Sequence, residues 1–216
     1  MAGMSFAGLV LTVVLAVDGQ VDPDPQFDPL ALTVSDYAVA DRGGATDWAM
    51  LTLAASTVAL EFALPIVPRL ARRLLWLFAA GLLVAASAPT DQSLDLSTTG
   101  YVHRYASVTA FVVLPAAGWL IASRAGPALG WAAPFTRRLA TAAAMFMAAM
   151  LASQLFADRA LIGLAERLLL TAGVALLVVL AVRAYQLGAG PLGRRADEGE
   201  ELGPRAGVGA QRSEQG

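Results

Sequence analysis

Cysteine is missing from all 216 residues, lysine is missing too, and histidine occurs once. Without cysteine the chain has no disulfides and no thiolate metal ligands. A single imidazole also falls short of the several that protein zinc sites draw on, so neither a metal nor a cofactor is expected. Charge is scarce as well. Only 15% of the residues are charged, against about 25% in ordinary soluble domains, which is too little to cover a water-facing surface. All fifteen basic residues are arginine, and the net charge is −2 with a pI near 5.3. That balance lacks the basic excess of a nucleic-acid-binding protein, so no nucleic-acid partner is expected.

What is abundant is apolar. Hydrophobic residues make up 57% of the chain and the mean hydropathy is +0.61. They come in long blocks separated by short polar ones, the pattern of membrane spans rather than of one buried core. Six blocks are evident, Ala2–Val17, Trp48–Val67, Leu74–Ala88, Tyr101–Ser123, Leu139–Phe156 and Leu161–Tyr185. The first is short for a span, which takes roughly 17–25 residues. A retained helix and a cleaved signal peptide compete for it. No arginine or lysine precedes the block and Leu15-Ala16-Val17 is a poor cleavage region, so a retained helix is expected. Pro68 and Pro89 stop the second and third blocks, and Thr98 or Thr99 is the expected N-cap of the fourth. The predicted fold is all-α, an integral membrane bundle of six transmembrane helices over residues 1–185 with an outer loop at 18–47. A Gly-, Pro-, Glu- and Arg-rich tail over 186–216 is expected to be disordered and cytoplasmic.

Arginine counting sets the orientation. Arg69, Arg72, Arg73, Arg124, Arg137, Arg138, Arg194 and Arg195 fall after the second, fourth and sixth spans, whereas the other loops hold only Arg42 and Arg159 beside most of the aspartates. The positive-inside rule then puts both termini in the cytoplasm and the aspartate-rich segments outside, in a multi-pass protein of the cell membrane.

Ionisable side chains at membrane depth are costly and call for a partner or a task. Glu61, in the inner half of the second span, reads either as a carboxyl paired with an arginine such as Arg72 or as a proton or cation site. At the outer end the sole histidine, His103, stands beside Arg104 at the mouth of the fourth span. Asp91, Asp95, Thr99, His103 and Ser107 recur every fourth residue and would share one face if the helix reached back that far. Gly100 and the Ser97-Thr98-Thr99 run argue against that extension. Arg104 reads as paired with Asp91, Asp95 or Glu166, or as reaching to water. Glu166 and Arg167 lie inside the sixth span and diverge by about 100° around the helix, so one faces the bundle and the other reaches for a neighbour. Asp158 and Arg159 read as turn caps. Asp91, Asp95, His103, Arg104, Glu166 and Arg167 are therefore the candidates for a polar ligand pocket at the outer face. The plainer reading of each is packing or ion pairing.

Three short motifs carry a resemblance. Ser35-Asp36-Tyr37, then Asp91 followed by Thr99-Gly100-Tyr101-Val102-His103, then Gly163-Leu164-Ala165-Glu166-Arg167-Leu168 resemble the bacterial membrane proteins grouped as domain of unknown function 998. The resemblance spans roughly Met4 to Tyr185. It implies the six-helix architecture and an outer-face site, and brings no activity with it.

For function the sequence ranks a non-catalytic role first, in small-solute or lipid handling or as an envelope accessory subunit with a membrane-protein partner. Its partners are then the lipid bilayer and a small-molecule or lipid ligand. The alternative is a membrane-embedded hydrolase acting on a lipid or envelope precursor, with His103 as base, Asp91 or Asp95 orienting it, and Ser35 or Ser107 as nucleophile. Against it, the chain has no Gly-x-Ser-x-Gly elbow.

Overall fold

A computed structural model describes residues 1–21, 28–40, 44–88, 90–91 and 97–189. Asp95, Arg42, Pro89, Arg194, Arg195 and the expected disordered tail from residue 190 onward lie outside the described residues. The described elements are all helical: α1 (Ala2–Asp18), α2 (Val34–Ala40), α3 (Ala45–Ala63), α4 (Arg69–Ser87), α5 (Thr98–Arg124), α6 (Gly126–Leu129), α7 (Ala132–Phe156) and α8 (Ile162–Gly188). Of these, α4, α5, α7 and α8 are long and apolar enough to cross a membrane, and α1 is a shorter apolar helix of 17 residues.

Helix ends depart from expectation where local chemistry was under-read. α3 stops at Ala63 rather than at Val67, because Leu64 precedes Pro65 and is pushed out of the helical region to φ −122°, ψ 78°. α4 starts directly after Pro68, so Arg69, Arg72 and Arg73 lie on its first turns and not in a loop. Arg137 and Arg138 are likewise helical, since α7 begins at Ala132. The N-cap of α5 is Ser97, not Thr98 or Thr99; its hydroxyl accepts from the Gly100 N–H at 3.1 Å. Residues 186–188, expected in the tail, continue α8.

The six long helices pack as a closed ring in which α1 meets α3, α3 meets α4, α4 meets α5, α5 meets α7, α7 meets α8, and α8 returns to α1. Leu60, Leu75, Ile121, Leu176, Leu177 and Leu180 fill the interior. The outer surface is no less apolar: Val14, Trp76, Leu83, Val112, Trp119, Met145 and Leu168 all point outward. A bundle that is greasy on both sides suits a lipid solvent, where close packing of small residues rather than water exclusion joins helices. Gly81 shows this at the α4–α5 seam, where a Cβ would lie 3.0 Å from the Ala106 carbonyl oxygen.

The two ends differ. Arg72 pairs with the buried Glu61 at 3.4 Å at the arginine-rich end. There Arg137 also lies over the Trp119 ring at 5.5 Å, and Trp131 donates to Gln186 at 2.9 Å. The opposite end is closed by α2 and the segment before it.

Candidate functional site

α2 is seven residues long, too short to be stable by itself, so what holds it must be found around it. A reciprocal cap starts it. The Asp36 N–H donates to Thr33 Oγ1 at 3.1 Å, while Asp36 Oδ2 accepts from the Thr33 N–H and from the Thr33 hydroxyl, each at 2.8 Å. Arg159 then donates to the same Asp36 oxygen at 2.9 Å. Arg159 is thus more than a turn cap, although it sits in the α7–α8 turn, where Asp158, Arg159 and Leu161 all take positive φ values of 44°, 65° and 58°. The Ser153 carbonyl accepts the Arg159 N–H at 3.0 Å and helps hold that turn.

Glu166 and Arg167 secure the rest from α8. The buried Glu166 carboxylate accepts from the Val34 N–H at 2.5 Å. Arg167 turns the other way: it donates to the carbonyls of Pro29 and Leu32 at 2.6 and 2.8 Å and to Gln20 Oε1, and lies over the Tyr37 ring at 5.1 Å. Gly163 lets the backbone of the 28–33 segment come this close. Its N–H donates to the Leu30 carbonyl at 3.1 Å, and a Cβ at this position would meet the Leu32 and Pro29 carbonyl oxygens at 2.1 and 2.7 Å.

His103 is buried on α5. Its Nδ1 lies 2.9 Å from the Ala85 carbonyl oxygen and 3.0 Å from that of Ala88, and its Nε2 lies 3.1 Å from Ser35 Oγ. Asp91 lies outside α5, as the Ser97-Thr98-Thr99 run argued. It lies in the loop before α5 and accepts from the N–H and the hydroxyl of the N-cap Ser97, each at 2.8 Å. Arg104 makes no hydrogen bond or ion pair with the described residues.

These side chains surround a cavity of about 330 Å³. Its polar wall includes Ser35, Asp36, Asp91, His103, Arg104 and Glu166, and its apolar wall includes Val108, Phe111, Met147, Met150 and Leu151. Four of the candidates read from the sequence, Asp91, His103, Arg104 and Glu166, therefore share one cavity. Arg167 stands outside it, clamping the cover, and Asp95 is not described. Sequence reasoning missed the pairing of Arg159 with Asp36 and the contribution of Gln154, which also lines the cavity. The Thr33-x-x-Asp36 capping signal marks the start of α2 but carries no sign of Arg159, its partner 123 residues away. Val108 and Leu151 are exposed as well as cavity-lining, so the space reaches the bundle surface between α5 and α7. Among the described residues no group of acidic or histidine side chains is arranged to hold a metal.

A family model described as "Protein of unknown function (DUF998)" matches residues 6–183. The chain belongs to the DUF998 family. No curated protein and no solved structure matches it. The DUF998 match takes in the cavity and its cover together, from Ser35 to Glu166. Since the family's own description assigns no function, any role for the DUF998 pocket has to be argued from its chemistry.

Proposed function

We propose that this protein is a six-span protein of the bacterial plasma membrane, with both termini in the cytoplasm, that takes a single-chain amphiphile into the pocket at its outer face. The observation that carries the reading is the cavity itself. One wall is polar, the other is apolar, and the gap between α5 and α7 faces the surface where lipid would lie. At about 330 Å³ it is at the lower end of small-ligand sites. The ring packing supports six spans, since α1 and α3 stand in it beside four helices that are each long enough to cross. The arginines gathered at the end away from the cavity support the orientation. Because the chain has no cysteine, single cysteines report topology cleanly. A membrane-impermeant maleimide should label Asp28→Cys in intact cells and Pro127→Cys only after permeabilisation; the reverse pattern refutes the orientation.

Arg104 is the cavity-lining cation left without a protein partner among the described residues, whereas Arg159 is paired. An anionic head should therefore gain a charge-assisted hydrogen bond there. Hexadecyl phosphate should bind the wild-type protein in detergent, and Arg104→Ala should weaken it by about tenfold, the equivalent of one such bond. The uncharged hexadecyl glycerol ether should lose little. Equal loss for both probes, or none for either, contradicts this assignment of the head.

A further inference from the structure

We propose that Ser35 and His103 are a nucleophile and its general base, and that they hydrolyse the ester of a single-chain acyl lipid held in this pocket. The proposal rests on the amphiphile-binding reading above and adds chemistry to it.

The first support is the state of the imidazole. Nδ1 faces two carbonyl oxygens, at 2.9 and 3.0 Å, and carbonyls only accept. Nδ1 therefore carries the proton, and in the neutral ring Nε2 is left as an acceptor. Its neighbour at 3.1 Å is the Ser35 hydroxyl, which donates to it. A hydroxyl bonded to the free nitrogen of a ring whose other nitrogen is fixed is the arrangement that activates a serine. Here backbone carbonyls at the end of α4 orient the ring, a task that a carboxylate performs in the familiar triads. Asp91, the orienting group expected from the sequence, is engaged with Ser97 instead.

The second support is where Ser35 sits. It lines the outer cavity and also a second, almost wholly apolar one of about 100 Å³ directly beneath α2. Leu53, Leu82, Leu170 and Val174 line this second space and also a third, of about 30 Å³, beside Pro115. Phe111 borders all three. A head group in the polar cavity and an acyl chain directed down this series place the bond between them, the ester, at Ser35. The serine is also held still, because Val34 before it and Asp36 after it are each bonded to α8 or to the α7–α8 turn.

The reaction balances with water as the only co-reactant. Ser35 Oγ bonds to the ester carbonyl carbon as its proton passes to His103 Nε2. The carbonyl carbon–alkoxy oxygen bond breaks, and the departing alcohol takes that proton. Water then adds to the acyl-serine and gives a proton to Nε2. That proton returns to Ser35 Oγ as the fatty acid leaves.

The test is covalent labelling of the full chain in detergent with hexadecyl fluorophosphonate, with the adduct located by peptide mass mapping. Binding of inert hexadecyl phosphate is measured alongside. The proposal expects the adduct on Ser35 of the wild-type protein, loss of labelling in Ser35→Ala, and a rate at least 100-fold lower in His103→Ala, the usual contribution of a general base. Mapping the wild-type adduct requires no variant to fold. Hexadecyl phosphate binding without an adduct on Ser35, or with the adduct on Ser107 or on outward-facing residues, overturns the hydrolase and leaves the binding reading standing. Labelling of Ser35 that His103→Ala does not slow also overturns the nucleophile–base pairing. Neither binding nor labelling overturns both readings.

Discussion

Replacing Gly163 by alanine should lower the melting temperature of the protein in detergent by roughly 10 °C, through a loss of about 3 kcal/mol. The added methyl would be 2.1 Å from the Leu32 carbonyl oxygen and 2.7 Å from that of Pro29. Both are backbone atoms, so no side-chain rotation relieves the clash. The 28–33 segment would have to lift off α8, taking with it the bond from the Gly163 N–H to Leu30. Because α2 follows that segment, amide exchange at residues 28–40 should accelerate more than exchange in α5 or α8. A uniform acceleration across the bundle would mean that Gly163 serves general helix packing instead of the cover. An unchanged melting temperature would mean that the segment does not rest on α8 as described.

Arg167→Ala should rank second, at about 2–3 kcal/mol. The guanidinium serves two carbonyls and Gln20 together and lies over Tyr37, so its removal leaves several acceptors without a donor at once. Partial exposure of the side chain holds the figure below the sum of its bonds. Arg167→Lys should recover less than half of the loss, because a compact ammonium cannot spread three donors over this fork and still cover the ring. Thermal denaturation of the two variants side by side measures this. Full rescue by lysine would reduce the role of Arg167 to its charge.

Much of this end of the molecule was legible in the sequence as an inventory but not as an arrangement. Apolar blocks marked the long helices, and the cost of ionisable groups in hydrocarbon singled out His103, Arg104 and Glu166, whereas Pro68, read as the stop of the second block, caps the start of α4. Pro65 was overlooked, and with it the early end of α3. The cover was harder to read. α2 has only seven residues, too few for a helical period to stand out, and its partners are remote in the chain: Ser35 is 68 residues from His103, and Val34 is 132 from Glu166. Spacing within a single helix therefore stacked His103 only with Ser107, while the actual neighbour of the imidazole came from another segment. The sequence ranked the non-catalytic reading first for want of a Gly-x-Ser-x-Gly elbow, and it offered Ser35 and Ser107 with no geometry to separate them. The contact with Nε2 separates them.

The central claim is that the outer cavity takes up a single-chain amphiphile. Its most direct test is photolabelling in membranes with hexadecyl phosphate that carries a diazirine on its chain, followed by mapping of the adducts. The account predicts adducts on Phe111, which borders the outer cavity and both apolar spaces beneath it, and their suppression by excess unlabelled hexadecyl phosphate. Adducts confined to the outward-facing Leu83, Val112 and Trp119, unaffected by competitor, would contradict it.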